Sequence, residues 1–265
     1  MQVAEFLPKF LKKHKIINFL ILSKLQKKLI KLKFNENSYN FINLADPEPR
    51  NVFIHQVFEL DFFKITESLM PENGTFFDIG ANVGFCTFGL VSSRPKASFH
   101  LFEANIKLIN LLNLSKRLHP NKDFFINHCC VGNTSGRSFF KVREDQSGQS
   151  HVSKTEEDVQ VNNCILDNYC IAQKVSKVDF AKIDIEGFEL QALKGWKRQL
   201  YNHTIRTIHI ESFQKINQDM GMKQMHLFYT WSLLGTNYFS TRMMILKFLM
   251  ELLNLNLSVQ NKYLF

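Results

Sequence analysis

A chain of 265 residues with 45% hydrophobic and 22% charged residues is long enough to bury a full core and too apolar to be disordered, so it reads as one domain with an appendage. The net charge of +9 is concentrated in residues 1–33, which hold nine lysines and a single acid, Glu5, and the near-neutral remainder argues against a nucleic-acid-binding body. Five cysteines, an odd number without a CxxC pair, suggest neither a zinc site nor a disulfide framework but reduced thiols in a cytoplasmic protein.

Residues 5–33 predict one or two basic helices. Phe6, Leu7, Phe10 and Leu11 recur at helical spacing, as do Ile17, Leu20, Ile21, Leu25 and Leu29, and lysines fill the other face. Such an arm either lies peripherally on an anionic membrane surface or packs on the domain with its lysines in water. Its best apolar run, residues 16–22, falls short of the ~20 residues of a membrane span, and no small-residue cleavage site follows it. Residues 34–50 are polar, contain Asp46-Pro47-Glu48-Pro49, and read as a linker or an irregular approach to the domain. The domain proper is expected over 51–265.

Residues 52–70 suggest a helix, or a strand and a helix, before the turn Pro71–Gly74. Strands and helices then alternate: strand Thr75–Ile79, helix Phe85–Val91, strand Ser98–Glu103, helix Asn105–Leu118 capped by Asn105, strand Phe124–Val131, strand Val178–Ile183, helix 187–200 and strand Arg206–Glu211. Alternation of this kind predicts a doubly wound, mostly parallel α/β sheet. Residues 138–165 break it with two strands around a polar loop, Asp145 to Asp158, which is either a lid or a plain surface hairpin. Beyond residue 215 the pattern suggests a helix over 220–233, a turn at Gly235, a helix near 242–255 and a closing strand, KYLF.

The segment Phe76–Gly84, FFDIGANVG, sits where a buried strand meets a helix. Glycines at 80 and 84 allow a sharp turn against which a ligand can lie, and the following helix N-terminus offers free N–H groups. Glu103 ends the next strand, nineteen residues beyond Gly84, where an acid accepts hydrogen bonds from ribose hydroxyls. The spacing does not match G-x-G-x-x-G, since position 82 is Asn, which disfavours an NAD-linked oxidoreductase. Asp78 beside the turn repels a pyrophosphate but suits the α-ammonium of a methionine moiety. The expected nucleoside cofactor is therefore S-adenosylmethionine. Its candidate binding set is Asp78, Gly80, Ala81, Asn82 and Gly84, with Glu103, Ala104 and, near the adenine by position, Cys130 and Val131.

With DIGANVG at 78–84, FEAN at 102–105, ILDNY at 165–169 and KIDIEGFELQALKGW at 182–196, the chain resembles the FkbM family of methyltransferases over about residues 55–215. The resemblance implies a class I, Rossmann-like fold, S-adenosylmethionine as methyl donor, and an oxygen acceptor on a small molecule or a sugar-containing product. Ala104 and Ile106 stand where the family often has prolines, and the lysine-rich arm lies outside its pattern.

Asp184 ends the fourth strand, at the sheet edge where open α/β folds bind ligands. Asp184 and Glu186 are the catalytic candidates: Asp184 to face the methyl or orient a hydroxyl, Glu186 as base or metal ligand. The competing possibility is that one caps the next helix and the other pairs with a lysine. His209 and Glu211 are further base candidates. Carboxylates here can also hold Mg²⁺, although the spacing does not require it. Two other functions remain as alternatives. One is nucleic-acid methylation, disfavoured because no Asn/Asp-Pro-Pro-aromatic motif follows the fourth strand. The other is a non-catalytic nucleoside-fold module docking on membranes through its arm.

Overall fold

The computed structural model describes residues 29–210, apart from 36, 144 and 145, together with the backbone of 227–230. Most of the basic arm, Glu211, the helices expected over 220–233 and 242–255 outside that strand, and the KYLF segment lie outside the described residues. No helix among the described residues is long and apolar enough to cross a membrane.

The chain opens with strands β1 (Leu29–Phe34) and β2 (Ser38–Asn43), which pair antiparallel as a hairpin. Helices α1 (Pro47–His55) and α2 (Leu60–Leu69) follow. This corrects two expectations. The helix predicted to run to residue 33 gives way to a strand at Leu29, because Lys31 and Lys33 alternate with Leu32 and Phe34, a period of two. The 34–50 segment is not an irregular linker. Leu32, Phe34, Ile42 and Leu44 are buried in the same core as α2, and α1 begins with Pro at its first turn, where no backbone N–H is missed. A domain boundary after residue 50 would cut α1.

The central sheet is built from β3 (Thr75–Ile79), β4 (Ser98–Glu103), β5 (Asp123–His128), β10 (Phe180–Ile183), β11 (Thr207–Ile210) and β12 (Leu227–Thr230), in the order β12-β11-β10-β3-β4-β5. All neighbours are parallel except β11 and β12. The antiparallel edge strand replaces part of the helix expected over 220–233. A four-residue run such as LFYT carries no helical period of its own, and pairing with β11 decides its conformation.

Strands β3 and β10 are almost wholly buried, as strands covered on both faces must be. Side chains alternate between two cores. Phe76, Phe99 and Phe180 pack with Phe62 and Phe63 of α2, Phe88 of α3 (Phe85–Leu90) and Leu112 of α4 (Ile106–Lys116). On the opposite face Phe77, Ile79 and Ile183 meet Leu166 of α5 (Leu166–Ala172), Leu193 of α6 (Glu189–Lys194) and Trp196. The Trp196 ring stacks on Phe77 at 5.4 Å and 11°. This is the doubly wound, Rossmann-like architecture.

Three further boundaries differ from expectation. The third strand stops at His128, Cys129 N–H donates to Glu103 O at 3.0 Å, and Cys130–Val131 becomes β6, paired with β9 (Val159–Cys164) outside the central sheet. Strands β6, β9, β7 (Arg137–Lys141) and β8 (His151–Ser153) form a separate four-stranded lobe. The supposed polar loop 145–158 therefore contains β8 and a 3₁₀ turn, Ser147–Gln149. The helix expected over 187–200 starts two residues late and breaks at Gly195 before α7 (Lys197–Tyr201). A Cβ at Gly195 would lie 2.0 Å from the Gly132 carbonyl oxygen, and the Asp167 carboxylate accepts from Arg198 N–H at 2.7 Å, beginning a new helix.

Candidate active site

Two cavities open at the carboxyl edge of β10, β3 and β4. The first is lined by Gly80, Asn82, Phe102, Glu103, Ala104, Cys130, Val131, Asp184, Ile185, Glu186 and Phe188, and is roofed by the β-lobe through Phe140, Ser147, Gly148, Ser150 and Val152. The sequence points to eleven residues as ligand-facing. Eight meet here: Gly80, Asn82, Glu103, Ala104, Cys130, Val131, Asp184 and Glu186. Ala81 lines the second cavity. Asp78 and Gly84 lie on neither wall.

The glycine turn follows from local geometry. Gly80 N–H and Ala81 N–H both donate to Phe102 O, at 2.9 and 3.0 Å. Gly80 has φ +81°, and a Cβ there would sit 1.8 Å from the Asp184 carbonyl oxygen. The two ligand-edge loops are thus in backbone contact, which only glycine permits. Gly84 has φ +86° and starts α3, with Phe88 and Leu112 where a Cβ would project, so its role is packing. The β1–β2 hairpin steadies the same turn: Asn40 Nδ2 donates to Val83 O at 2.7 Å.

Glu103 is buried, and its carboxylate accepts from Asn82 N–H through Oε2 and from Asn105 N–H through Oε1, each at 2.8 Å. Asn105 Oδ1 in turn accepts from Lys107 N–H, capping α4 as expected. Burial pushes the Glu103 carboxyl up, and the backbone N–H groups of Asn105, Asn82 and Ala104 oppose that. A carboxylate offers about four lone-pair directions, so those facing the cavity fit a pair of ribose hydroxyls. Cys130, Val131, Phe140 and Val152 make the neighbouring wall apolar, which suits an adenine ring. Burial pushes the Cys130 thiol up to about 12, which leaves it a packing group rather than a thiolate. These residues fit a nucleoside whose ribose lies at Glu103.

Asp78 is fully buried beneath the turn. Thr87 Oγ1 donates to its Oδ2 at 2.6 Å, and its Oδ1 has no hydrogen-bond partner. Desolvation pushes its carboxyl up, and Lys182 beside it on β10 opposes the rise. Direct contact with a ligand ammonium is not what this position offers.

Lys182 donates through Nζ to Asp184 Oδ2 at 3.0 Å, so the lysine pairing anticipated for one of the two acids belongs to Asp184. Neither acid caps the helix. The helix has no side-chain cap; Glu189 Oε1 instead accepts from Gly187 N–H at 3.0 Å and holds the turn that precedes it. Glu186 and Gly187 both have positive φ, at 51° and 94°, which turns the chain sharply around the cavity mouth before α6. His209 is buried in the core, its ring 5.5 Å from that of Phe62, and lines neither cavity. Among the described residues, no group of three or more His, Cys, Asp or Glu is placed to hold a metal ion.

The second cavity, about 570 Å³, adjoins the first and is lined by Glu48, Ala81, Phe85, Arg143, Gln149, His151 and Lys182, among others. Asn82, Gly148, Asp184 and Glu186 line both. The Ser147–Gln149 turn is fastened over the junction. Ser147 Oγ donates to Asn82 Oδ1 at 2.9 Å, Asn82 Nδ2 donates to Glu48 Oε2 at 2.9 Å, and Ser147 N–H donates to Asp46 Oδ2 at 3.2 Å. Sequence reasoning missed Glu48 and the roof residues, because their part in the site depends on how α1 and the lobe pack.

Residues 78–246 match the model of the methyltransferase FkbM domain. The hexuronic acid methyltransferase AglP of Haloferax volcanii is 26% identical over 153 residues, a match that spans 57% of this chain and 62% of the relative's length. The tRNA (uracil-54, C5)-methyltransferase of Pyrococcus abyssi, solved with S-adenosyl-L-homocysteine, superposes with a TM-score of 0.40 and 14% identity, over 74% of this chain and 38% of that one. The precorrin-6y C5,15-methyltransferase of Geobacter metallireducens GS-15 gives 0.34 and 10%, over 63% and 81%.

Proposed function

Because this chain belongs to the FkbM family of methyltransferases, we propose that it transfers the methyl group of S-adenosylmethionine to a hydroxyl oxygen of a sugar or sugar-containing small molecule. The observation that carries this reading is the pair of cavities sharing Asn82, Gly148, Asp184 and Glu186. A donor with its ribose at Glu103 and its adenine against Cys130 extends its methionine end past Gly80 toward Asp184, since β4, β3 and β10 stand side by side in that order. The reactive methyl then lies at the junction, and the polar second cavity takes the acceptor. The donor is activated by its own positive charge, so the protein's task is to align the acceptor oxygen, exclude water and remove a proton. Asp184 and Glu186 stand at the junction to orient the hydroxyl. The sugar class of acceptor is supported by the relative that acts on a hexuronic acid and by the hydrogen-bonding lining of the cavity: Gln149, Arg143, His151 and acids.

Isothermal titration of the purified protein with S-adenosylhomocysteine, and separately with NAD, tests the donor. Micromolar binding of the first alone supports it, and binding of NAD alone overturns it. Release of S-adenosylhomocysteine across a panel of hexoses and hexuronic acids then tests the acceptor.

A further inference from the structure

Asp184 is already engaged by the Lys182 ammonium, 3.0 Å from its Oδ2. Across the same cavity stands Glu48 of α1. Its side chain is open to the cavity, and its Oε2 accepts from Asn82 Nδ2, which fixes the carboxylate against one of the four residues that line both cavities. A Cβ on Gly148 would be 3.6 Å from Glu48 Oε2 and 3.7 Å from Asn82 Nδ2, so the roof of the junction lies directly over the same pair.

Resting on the methyl-transfer reading above, we propose that Glu48 is the general base of the reaction. Glu48 accepts the proton of the acceptor hydroxyl as that oxygen bonds to the methyl carbon. The carbon–sulfur bond breaks with its electron pair left on sulfur, and Glu48 ends as a neutral carboxylic acid. No further reactant is needed.

The electrostatics of the cavity agree with this role. Although the side chain keeps an exposed edge, desolvation by the crowded cavity walls pushes the Glu48 carboxyl from 4.5 to about 7; Lys182 opposes the rise, and Asp184, Asp46 and Glu59 add to it. Arg143, His151 and Glu186 face the same space. A base is most effective when its pKa lies near the working pH.

The test is Glu48→Gln, which keeps the shape and the oxygen that accepts from Asn82 but cannot take a proton. Three readouts are needed on the full chain: S-adenosylhomocysteine affinity, methyl transfer against pH, and the infrared carboxyl band near neutral pH. Expected are affinity within about threefold of wild type, a fall in kcat of about 10²–10⁴-fold, loss of the acidic limb near pH 7, and loss of a protonated-carboxyl band that wild type shows at pH 6. Glu48→Asp, which shortens the reach but keeps the proton acceptor, is expected to recover part of the rate. Activity of Glu48→Gln within threefold of wild type overturns the proposal, as does absence of the carboxyl difference, whether or not an acceptor has been found. Lost S-adenosylhomocysteine binding in Glu48→Gln also overturns it, in favour of a role in shaping the pocket. Wild-type protein that binds no S-adenosylhomocysteine sinks the methyl-transfer reading instead.

Discussion

The Glu103 carboxylate holds the backbone N–H groups of Asn82 and Asn105 together, one on each oxygen at 2.8 Å, and so joins the glycine turn to the start of α4. Glu103→Gln preserves the size but replaces one acceptor oxygen with a donor NH₂ group. One buried N–H must then lose its partner, which costs about 1–3 kcal/mol. The expected result is a lower unfolding midpoint in urea and S-adenosylhomocysteine affinity reduced at least about tenfold in titration. Unchanged affinity would mean that the acid serves the turn and not the ribose.

Gly80→Ala tests the contact between the two ligand-edge loops. The new Cβ meets the Asp184 carbonyl at 1.8 Å, on a backbone with φ +81°. Neither partner is a flexible side-chain tip, so the loops after β3 and β10 must separate. A residue forced into the left-handed region adds about 1–2 kcal/mol on its own. Binding of S-adenosylhomocysteine is expected to fall below detection while circular dichroism remains native, and full retention of binding would refute the assigned geometry.

Much of this arrangement is legible in the residues themselves. Strands β3 and β10 are short apolar runs bounded by turn residues, and a strand buried on both faces has no other pattern. Asn105 is legible because a short polar side chain before an apolar helix has one local use. Legibility fails where tertiary contacts choose between local options. Leu29–Phe34 follows a stretch with helical spacing, its period of two spans only a few residues, and the burial of Leu32 and Phe34 against the domain decides for the strand. Asp46-Pro47-Glu48-Pro49 contains the prolines of a loop, yet Pro at the first turn is also how a helix begins. Glu48 lies 34 positions before Asn82 in sequence, and no spacing rule brings the two together.

Lys182→Met removes the positive charge between three carboxylates. Lys182 draws down the carboxyls of both Glu48 and Asp78 and hydrogen-bonds to Asp184. Its loss leaves the three acids to repel one another and favours the protonated forms of Glu48 and Asp78. The acidic limb of the methyl-transfer profile is expected to move to higher pH, and stability at pH 8 to fall by about 1–3 kcal/mol, the cost of a lost charged hydrogen bond. A pH profile superimposable on wild type would exclude this coupling.

Glu48 also leaves a signature in stability that requires no substrate. Its folded-state value of about 7 lies above its ordinary value of 4.5. The fold therefore favours the protonated carboxyl: that contribution is fully present below 4.5 and is lost as pH rises to about 7. Glutamine is neutral throughout and mimics the protonated side chain. The unfolding free energy of Glu48→Gln should therefore gain steadily on wild type between pH 4.5 and 7, and the difference should level off above that. Other carboxyls titrate in both proteins and cancel in the comparison when they do not touch Glu48. Urea unfolding at four pH values reads this directly, and a difference independent of pH would show that Glu48 titrates like an ordinary surface acid.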